Sequence, residues 1–113
     1  MLKKNVLRKK SDFSSIYKKG KSVGDRYVVL FYIKNDGRGF SKLAFLASKK
    51  VGKAVIRNRA RRLMRESYRE LSQCLSPEYD YIFIARNTIQ GKKCQDVKKS
   101  MESAAKRAKV FIK

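Results

Sequence analysis

The sequence predicts a single α+β domain, spanning residues 1–113, in which helices pack on one mixed β-sheet. Three observations support this prediction. The elements follow one another in the order helix, strands, helix, strand, helix. Two long segments carry an apolar stripe at helical spacing, which is typical of helices packed on a core. One strand segment is apolar on both faces, which indicates a central strand that is covered on both sides.

A short first helix is predicted over residues 11–19, because apolar side chains recur there at helical spacing. Ser11 is expected to cap its beginning, and Gly20 is expected to follow its end. The apolar positions that share one face of this helix are Phe13, Ile16 and Tyr17.

Two segments are predicted as strands of the sheet, and a third as a partner. Residues 26–34 are dense in β-branched and aromatic side chains, and the turn sequence Asn-Asp-Gly follows them. Residues 42–48 are expected to return as the hairpin partner of this strand. Residues 79–86 form the strand that is apolar on both faces. Its alternating side chains are Tyr81 and Phe83 on one face, and Ile82 and Ile84 on the other.

Two longer helices complete the domain. The first is predicted over residues 54–74, and Ser76-Pro77 ends it. Its apolar positions are Ile56, Ala60, Leu63, Met64, Tyr68 and Leu71. The final helix is predicted over residues 92–112. Its apolar stripe is Cys94, Val97, Met101, Ala104, Ala105, Ala108 and Phe111.

The charge of the chain indicates a polyanionic partner. Thirty Lys and Arg stand against nine Asp and Glu, which gives a formal net charge of +21. Self-repulsion of this size costs folding stability, and nucleic acid would offset it by releasing its condensed counterions. A membrane surface is the competing polyanion. The longest apolar run, residues 27–33, is far shorter than the roughly 20 residues that span a bilayer, so no membrane segment is expected.

The composition argues against an enzyme that works alone. The chain has no histidine, which removes the commonest general base near neutral pH and every triad that needs one. Cys74 and Cys94 cannot fill a four-ligand zinc site, and they fit buried thiols in a reducing cytoplasm. Glu66 and Glu70 lie one helical turn apart and could hold Mg²⁺, but ion pairing with Arg59, Arg62 and Arg69 is the favoured interpretation. We therefore expect no catalytic residue and no metal ligand in the protein.

Basic residues concentrate between positions 49 and 69, where nine are basic and one is acidic. At about 100° per residue, six polar positions of the long helix fall within one arc of roughly 140°, beside the apolar stripe. Arginine can grip phosphate bidentately and stack on bases, which favours an RNA contact over a merely solvated face. We call these six positions the arginine ridge: Arg57, Asn58, Arg61, Arg62, Arg65 and Arg69.

The string KKVGKAVIRNR at residues 49–59, followed by Arg61-Arg62-Leu63 and Arg65-Glu66, resembles the signature of the bacterial ribonuclease P protein family. The resemblance continues in Leu7-Arg8-Lys9, Asp12-Phe13, Tyr17 and Gly20-Lys21-Ser22, and in Ile82-Phe83-Ile84-Ala85-Arg86. It spans about residues 7–90, and the last helix matches in position and character only.

The resemblance implies a two-layer α/β sandwich like the second domain of ribosomal protein S5. It has a mixed four-stranded sheet, three helices and a left-handed βαβ crossover, although such connections are nearly always right-handed. Ribonuclease P hydrolyses one phosphodiester bond to remove the 5′ leader of precursor tRNA. A large RNA is the catalyst and holds the Mg²⁺ ions, and no organic cofactor is implied. The implied partners are the catalytic RNA and precursor tRNA, with one protein and one RNA in a cytoplasmic heterodimer.

The resemblance also implies two sets of RNA contacts. The positions that match contacts to the catalytic RNA are Lys53, Arg57, Asn58, Arg59, Arg61, Arg62 and Arg65. The positions that match a cleft for the single-stranded leader are Phe13, Tyr17, Phe31, Lys49, Lys50 and Arg86. For the aromatic residues, burial in the core is the competing interpretation. A ribosomal or other structural RNA-binding protein is the alternative function, since it shares the charge, the size and the ridge.

Overall fold

The computed structural model describes residues 6–7 and 9–112, which form three α-helices and four strands. In chain order the elements are α1 Lys10–Lys19, β1 Lys21–Gly24, β2 Val28–Lys34, β3 Leu43–Leu46, α2 Ala54–Leu71, β4 Tyr79–Ala85 and α3 Cys94–Arg107. Short 3₁₀ turns lie at Ser72–Cys74 and Asn87–Ile89. None of the described helices has the length and apolar character needed to cross a membrane. The predicted α+β class is confirmed.

The sheet has the strand order β1-β2-β4-β3. β2 pairs antiparallel with β1 and with β4, whereas β3 pairs parallel with β4. The predicted hairpin between residues 26–34 and 42–48 is therefore wrong. β4 is apolar on both faces, so the middle of the sheet is where it buries most surface, and it separates β2 from β3. The helix α2 makes the crossover from β3 to β4, and its left hand stays a prediction.

The two faces of the sheet carry different helices. α2 and α3 pack on one face over the main core, where Leu30, Tyr81 and Phe83 are fully buried. α1 packs on the other face, where Ile16 and Ile82 belong to a second, smaller cluster. β4 thus contributes buried side chains to both clusters, as predicted for a central strand.

Strand β1 is absent from the sequence predictions because its residues, Lys-Ser-Val-Gly, hold one apolar side chain. It forms because β2 has a free edge. All four residues of β1 pair with β2, in a register that runs from Lys21↔Tyr32 to Gly24↔Val29. The final helix is shorter than predicted. Lys109 takes a positive φ of 62°, which ends the helical run, and Phe111 then forms a β-bridge with Leu75 rather than continuing the stripe.

The ends of α1 also differ from the prediction. Lys9, not Ser11, occupies the N-cap position, and no side chain caps the helix. Gly20 follows the helix as predicted, but its φ of −80° is available to any residue. Glycine is required there for space, because a Cβ would lie 2.5 Å from the Ile16 carbonyl oxygen and 2.6 Å from that of Tyr32. This close approach joins α1 to β2.

The loop between β1 and β2 is anchored to α3 through Asp25. The Asp25 carboxylate accepts hydrogen bonds from the Ser100 hydroxyl at 2.8 Å and from the Arg107 guanidinium at 2.6 Å. Burial acts to raise the pKa of Asp25, but hydrogen bonds from the Arg26 N–H, Ser100 and Arg107 outweigh it, so the pKa lies below its usual value. The loop therefore depends on an ionised carboxylate.

We expect Gly20→Ala to destabilise the fold by about 1–3 kcal/mol, because the new methyl group forces α1 away from β2. Gly24→Ala is the matched control, since nothing lies within 4 Å of the Cβ position there. Chemical denaturation of both variants gives the comparison. Equal midpoints for the two variants would contradict the close-approach argument.

We expect Asp25→Asn to lower the free energy of unfolding at neutral pH by about 1–3 kcal/mol, because it weakens charged hydrogen bonds. A carboxyl group with a depressed folded pKa stabilises above its unfolded pKa of about 3.9, and the stabilisation is lost as the pH falls through the folded value. The difference between the wild type and Asp25→Asn should therefore shrink below about pH 4. Thermal melts from pH 3 to 7 check this. Asp36→Asn is the control, because the Asp36 side chain is 83% exposed. A difference that is constant with pH would contradict it.

Candidate nucleic-acid interface

The arginine ridge lies along one side of α2, next to the face that holds the helix on the sheet. That inner face buries Ala60, Leu63, Met64, Ser67 and Leu71. The ridge members that are exposed are Asn58, Arg62, Arg65 and Arg69, and those that are half-buried are Arg57 and Arg61. The predicted division of α2 into an apolar face and an adjoining basic face is confirmed.

The inner edge of the ridge is fixed to the segment that precedes α2. Arg57 donates a hydrogen bond from Nη1 to the Gly52 carbonyl at 3.3 Å, and Arg61 donates from Nη1 to the Ala47 carbonyl at 3.5 Å. Arg61 also donates to the Asn58 side chain. Because these bonds restrict the two guanidinium groups, their remaining N–H donors point in defined directions.

The outer edge of the ridge, Arg62, Arg65 and Arg69, is uncommitted, in the sense that its side chains have no hydrogen-bond partner among the described residues. The guanidinium groups of Arg62, Arg65 and Arg69 make no hydrogen bond or ion pair with any residue in the described part of the chain. Each of these groups therefore keeps all its donors for an external ligand. An anion can bind here without breaking an existing protein contact.

Arg59 lies on the other flank of α2, away from the ridge. Its Nη2 donates to the Lys92 carbonyl at 2.9 Å, which directs the side chain towards the start of α3. Glu70 lies on the same flank and pairs with Lys98 of α3 at 3.5 Å. The predicted pairing of Glu70 with neighbouring arginines of α2 is therefore wrong, and Glu66 forms no ion pair among residues 9–112. Glu70 thus faces α3, and neither acid of α2 forms an ion pair with a ridge arginine in the described part of the chain.

The connection from β3 to α2 presents three lysines. Lys49, Lys50 and Lys53 are exposed, whereas Val51 between them is buried and anchors the turn. Gly52 has a φ of 149°, which side chains rarely adopt, so the turn into α2 requires glycine.

The parallel pairing of β3 and β4 brings basic residues together at one end of the sheet. Lys49 and Lys50 follow β3, and Arg86 follows β4, so all three lie where the two strands end. Arg86 is exposed, and its Nη1 donates to the Asp25 carbonyl at 2.9 Å. The anchored loop at Asp25 thereby holds Arg86 in place.

Half-buried apolar side chains lie beside α1 at the same end of the sheet. The register aligns Val29, Ile84 and Leu46 in one row across β2, β4 and β3, and the preceding row, with Phe31 and Ile82, lies under α1. The sequence predictions did not group these positions, and only the strand register identifies them as one half-buried row. We call the following set the α1-side strip: Tyr17, Val29, Phe31, Leu46 and Ile84.

The three aromatic residues predicted for the leader cleft differ in burial. Tyr17 is 45% exposed and meets Phe31 edge to face, with ring centroids 5.0 Å apart. Phe13 and Phe31 are half-buried and pack on the small core cluster, so the core interpretation holds in part for both. Burial raises the pKa of Tyr17, so its hydroxyl stays protonated and can donate a hydrogen bond. Tyr17 is the aromatic ring that is most available to a ligand.

The arrangement suits binding of a single nucleic-acid strand. Flexible lysines and uncommitted arginines attract phosphates, and an exposed ring beside an apolar row accepts bases without reading their sequence. Within residues 6–7 and 9–112, no three His, Cys, Asp or Glu side chains come together as a metal site. Cys74 and Cys94 are free, half-buried thiols.

Comparisons with known proteins identify the family of this chain. The sequence profile of the Ribonuclease P family matches residues 1–109. The ribonuclease P protein component of Clostridioides difficile is 41% identical over 107 residues, which cover 94% of this chain and 93% of that protein. The solved structure of the Staphylococcus aureus RNase P protein is 34% identical, with a TM-score of 0.84 over 95% of this chain and 97% of that one. The RNase P protein from Thermotoga maritima is 30% identical, with a TM-score of 0.80 over 90% of this chain and 96% of that one. The family match, the fold and the basic surface agree, and the chain belongs to the ribonuclease P protein family.

Proposed function

We propose that this chain is the protein subunit of an RNA-based ribonuclease P, and that it assists Mg²⁺-dependent removal of the 5′ leader from precursor tRNA. One observation carries the proposal. The arginine ridge and the α1-side strip lie on two adjoining sides of the edge strand β3, and the three lysines between β3 and α2 connect them. One protein can therefore contact a structured RNA and a single strand at the same time.

The arginine ridge is the proposed contact to the catalytic RNA. Its planar guanidinium groups can each hold phosphate oxygens bidentately, and an adjacent asparagine can donate and accept hydrogen bonds. The residues proposed for this contact are Lys53, Arg57, Asn58, Arg61, Arg62 and Arg65. Arg59 is proposed to contribute at the α3 flank, where its exposed side chain is tied to the Lys92 carbonyl.

The α1-side strip is the proposed contact to the leader. Bases would stack on Tyr17 and on the exposed parts of Phe31 and Phe13, which are both half-buried. Lys49, Lys50 and Arg86 would hold phosphates at the end of the strip. Stacking and phosphate contacts carry little sequence preference, which suits an enzyme that must accept many different leaders.

We propose that the catalytic RNA holds the Mg²⁺ ions and performs the hydrolysis. The most buried carboxylates of this protein are already engaged, Asp25 with Arg107 and Asp80 with Arg38. The protein supplies positive charge that draws the phosphates of both RNAs together, which lowers the Mg²⁺ concentration that the assembly needs. The proposed complex is one protein with one RNA in the cytoplasm, where free thiols are stable.

The test is cleavage of a 5′-extended precursor tRNA by bacterial ribonuclease P RNA at low Mg²⁺, with and without this protein. We expect accurate 5′ cleavage with both components, and none with the protein alone. Tight RNA binding without restored cleavage, across several types of ribonuclease P RNA, would favour a structural RNA-binding protein. Cleavage by the protein after RNA digestion would indicate a stand-alone nuclease.

We expect the double variant Arg62→Ala/Arg65→Ala to weaken binding to the catalytic RNA about tenfold or more, because two uncommitted guanidinium groups are lost. The slope of log affinity against log salt should also fall by roughly 1.5–2. Filter binding at several salt concentrations measures both quantities. Lys93→Gln/Lys99→Gln, which removes the same charge from α3, is the control. An unchanged salt slope in the Arg62→Ala/Arg65→Ala variant would show that the arginine ridge does not contact the catalytic RNA.

We expect Tyr17→Ala to weaken binding of precursor tRNA to the holoenzyme roughly 5- to 150-fold, as stacking contributes about 1–3 kcal/mol per base. Binding of mature tRNA, which has no leader, should be unchanged. Tyr17→Phe keeps the ring and should bind the precursor normally. Equal losses for precursor and mature tRNA would contradict a leader contact.

A further inference from the structure

A second concave site lies at the opposite end of the sheet from Lys49, Lys50 and Arg86. It has a volume of about 460 Å³ and sits between the C-terminal ends of α1 and α3, where β2 ends. We call it the tyrosine pocket. The side chains that the argument uses are Lys19, Lys21, Tyr32, Lys34, Tyr79 and Lys109.

Two tyrosine rings line the tyrosine pocket. Tyr32 and Tyr79 are half-buried, and their ring centroids lie 6.0 Å apart at an interplanar angle of 64°. Both pack against the main core, which fixes their position. Their hydroxyls make no hydrogen bond to any described residue. The pair therefore offers a rigid aromatic surface and two unused hydrogen-bonding groups.

The four lysines of the pocket have no counter-charge among residues 6–7 and 9–112. No carboxylate among the described residues lines the pocket, and none of the four lysines forms an ion pair there. Lys19 is the last residue of α1 and Lys109 follows α3, and at both places the helix dipole favours a cation. Lys21 and Lys34 lie on strands, so the dipole does not account for them. The carboxylates that form ion pairs do so elsewhere: Asp25, Asp36, Glu70, Asp80 and Glu102.

The tyrosine pocket and the α1-side strip lie on opposite faces of the sheet. Tyr32 and Tyr79 pack against the main core, whereas Phe31, Leu46 and Ile84 pack against the small cluster under α1. A nucleic acid bound here is therefore a different segment from the one in the strip. A concave site with aromatic walls accepts an unstacked base, which duplex RNA does not present.

We infer that the tyrosine pocket binds a single-stranded segment of the catalytic RNA, with a base against Tyr32 and Tyr79 and the flanking phosphates on the lysines. The RNA's identity rests on the function proposed above, whereas the preference for a single strand rests on the pocket itself. The protein then touches RNA at both ends of its sheet. This second contact resists rotation of the protein about the ridge.

The first test uses the isolated protein with a five-nucleotide adenosine RNA as the probe. We expect the NMR ring signals of Tyr32 and Tyr79 to shift on titration, and equal concentrations of inorganic phosphate to leave the rings unshifted. Lys21→Gln/Lys34→Gln should weaken this response on the order of tenfold, and Lys93→Gln/Lys99→Gln should not. No shift with RNA, or the same shift with phosphate alone, overturns the inference.

The second test uses the reconstituted holoenzyme. Lys21→Gln/Lys34→Gln should raise the protein concentration for half-maximal cleavage and lower the salt slope by roughly 1.4, at about 0.7 per phosphate on a single strand. The affinity advantage of precursor over mature tRNA should stay unchanged, since the leader lies elsewhere. If the wild type fails to restore cleavage, the proposed function fails. If the wild type restores cleavage and this variant matches the Lys93→Gln/Lys99→Gln control, the pocket inference alone fails.

Discussion

The parallel pairing of β3 with β4 is the constraint on which the functional surface depends. Two parallel neighbours must be joined by a crossover, and α2 is that crossover. The connection therefore brings the chain from the end of β3 directly into the arginine-rich helix. It also places Arg86, which follows β4, beside the lysines that follow β3. A hairpin between β2 and β3 would have separated these groups, so the pairing partner of one four-residue strand decides where the basic residues meet.

The second organising feature is the separation of charges on the surface. The net charge is +21, so the many basic groups repel one another. Several of the nine carboxylates lie where they stabilise loops and helix contacts. Asp25 anchors the β1–β2 loop to α3, Asp80 holds Arg38 at 2.6 Å, and Glu70 joins α2 to α3. These acids have partners outside the ridge, and Glu66, the acid beside the ridge on α2, forms no ion pair among the described residues. The ion pairs that stabilise the fold therefore do not use the ridge arginines.

Local periodicity predicted the elements well, and it failed where the outcome depends on distant partners. The helices and the double-faced strand were predictable because spacing within one segment decides them. The partner of β3 was not, since β2 and β4 compete for the same position and the sequence of β3 does not favour either. β1 has one apolar residue, Val23, and exists only because β2 offers an edge. Likewise, spacing placed the ridge correctly, but the predicted ion pairs between Arg59 and the glutamates of α2 were wrong, because Lys92, before α3, and Lys98, in α3, supply the partners of Arg59 and Glu70.

The α1-side strip and the tyrosine pocket also could not be predicted from local sequence. Val29, Leu46 and Ile84 are ordinary strand residues in the sequence, and they form a half-buried row only because the register aligns them across three strands. The tyrosine pocket collects residues from β2, β4 and both helix ends, which no single motif could reveal. In the proposed function, the protein acts on RNA through the positions of its charged groups and aromatic rings, and the sheet sets those positions. Sequence motifs therefore do not reveal which distant residues share a surface, because the strand order and register decide it.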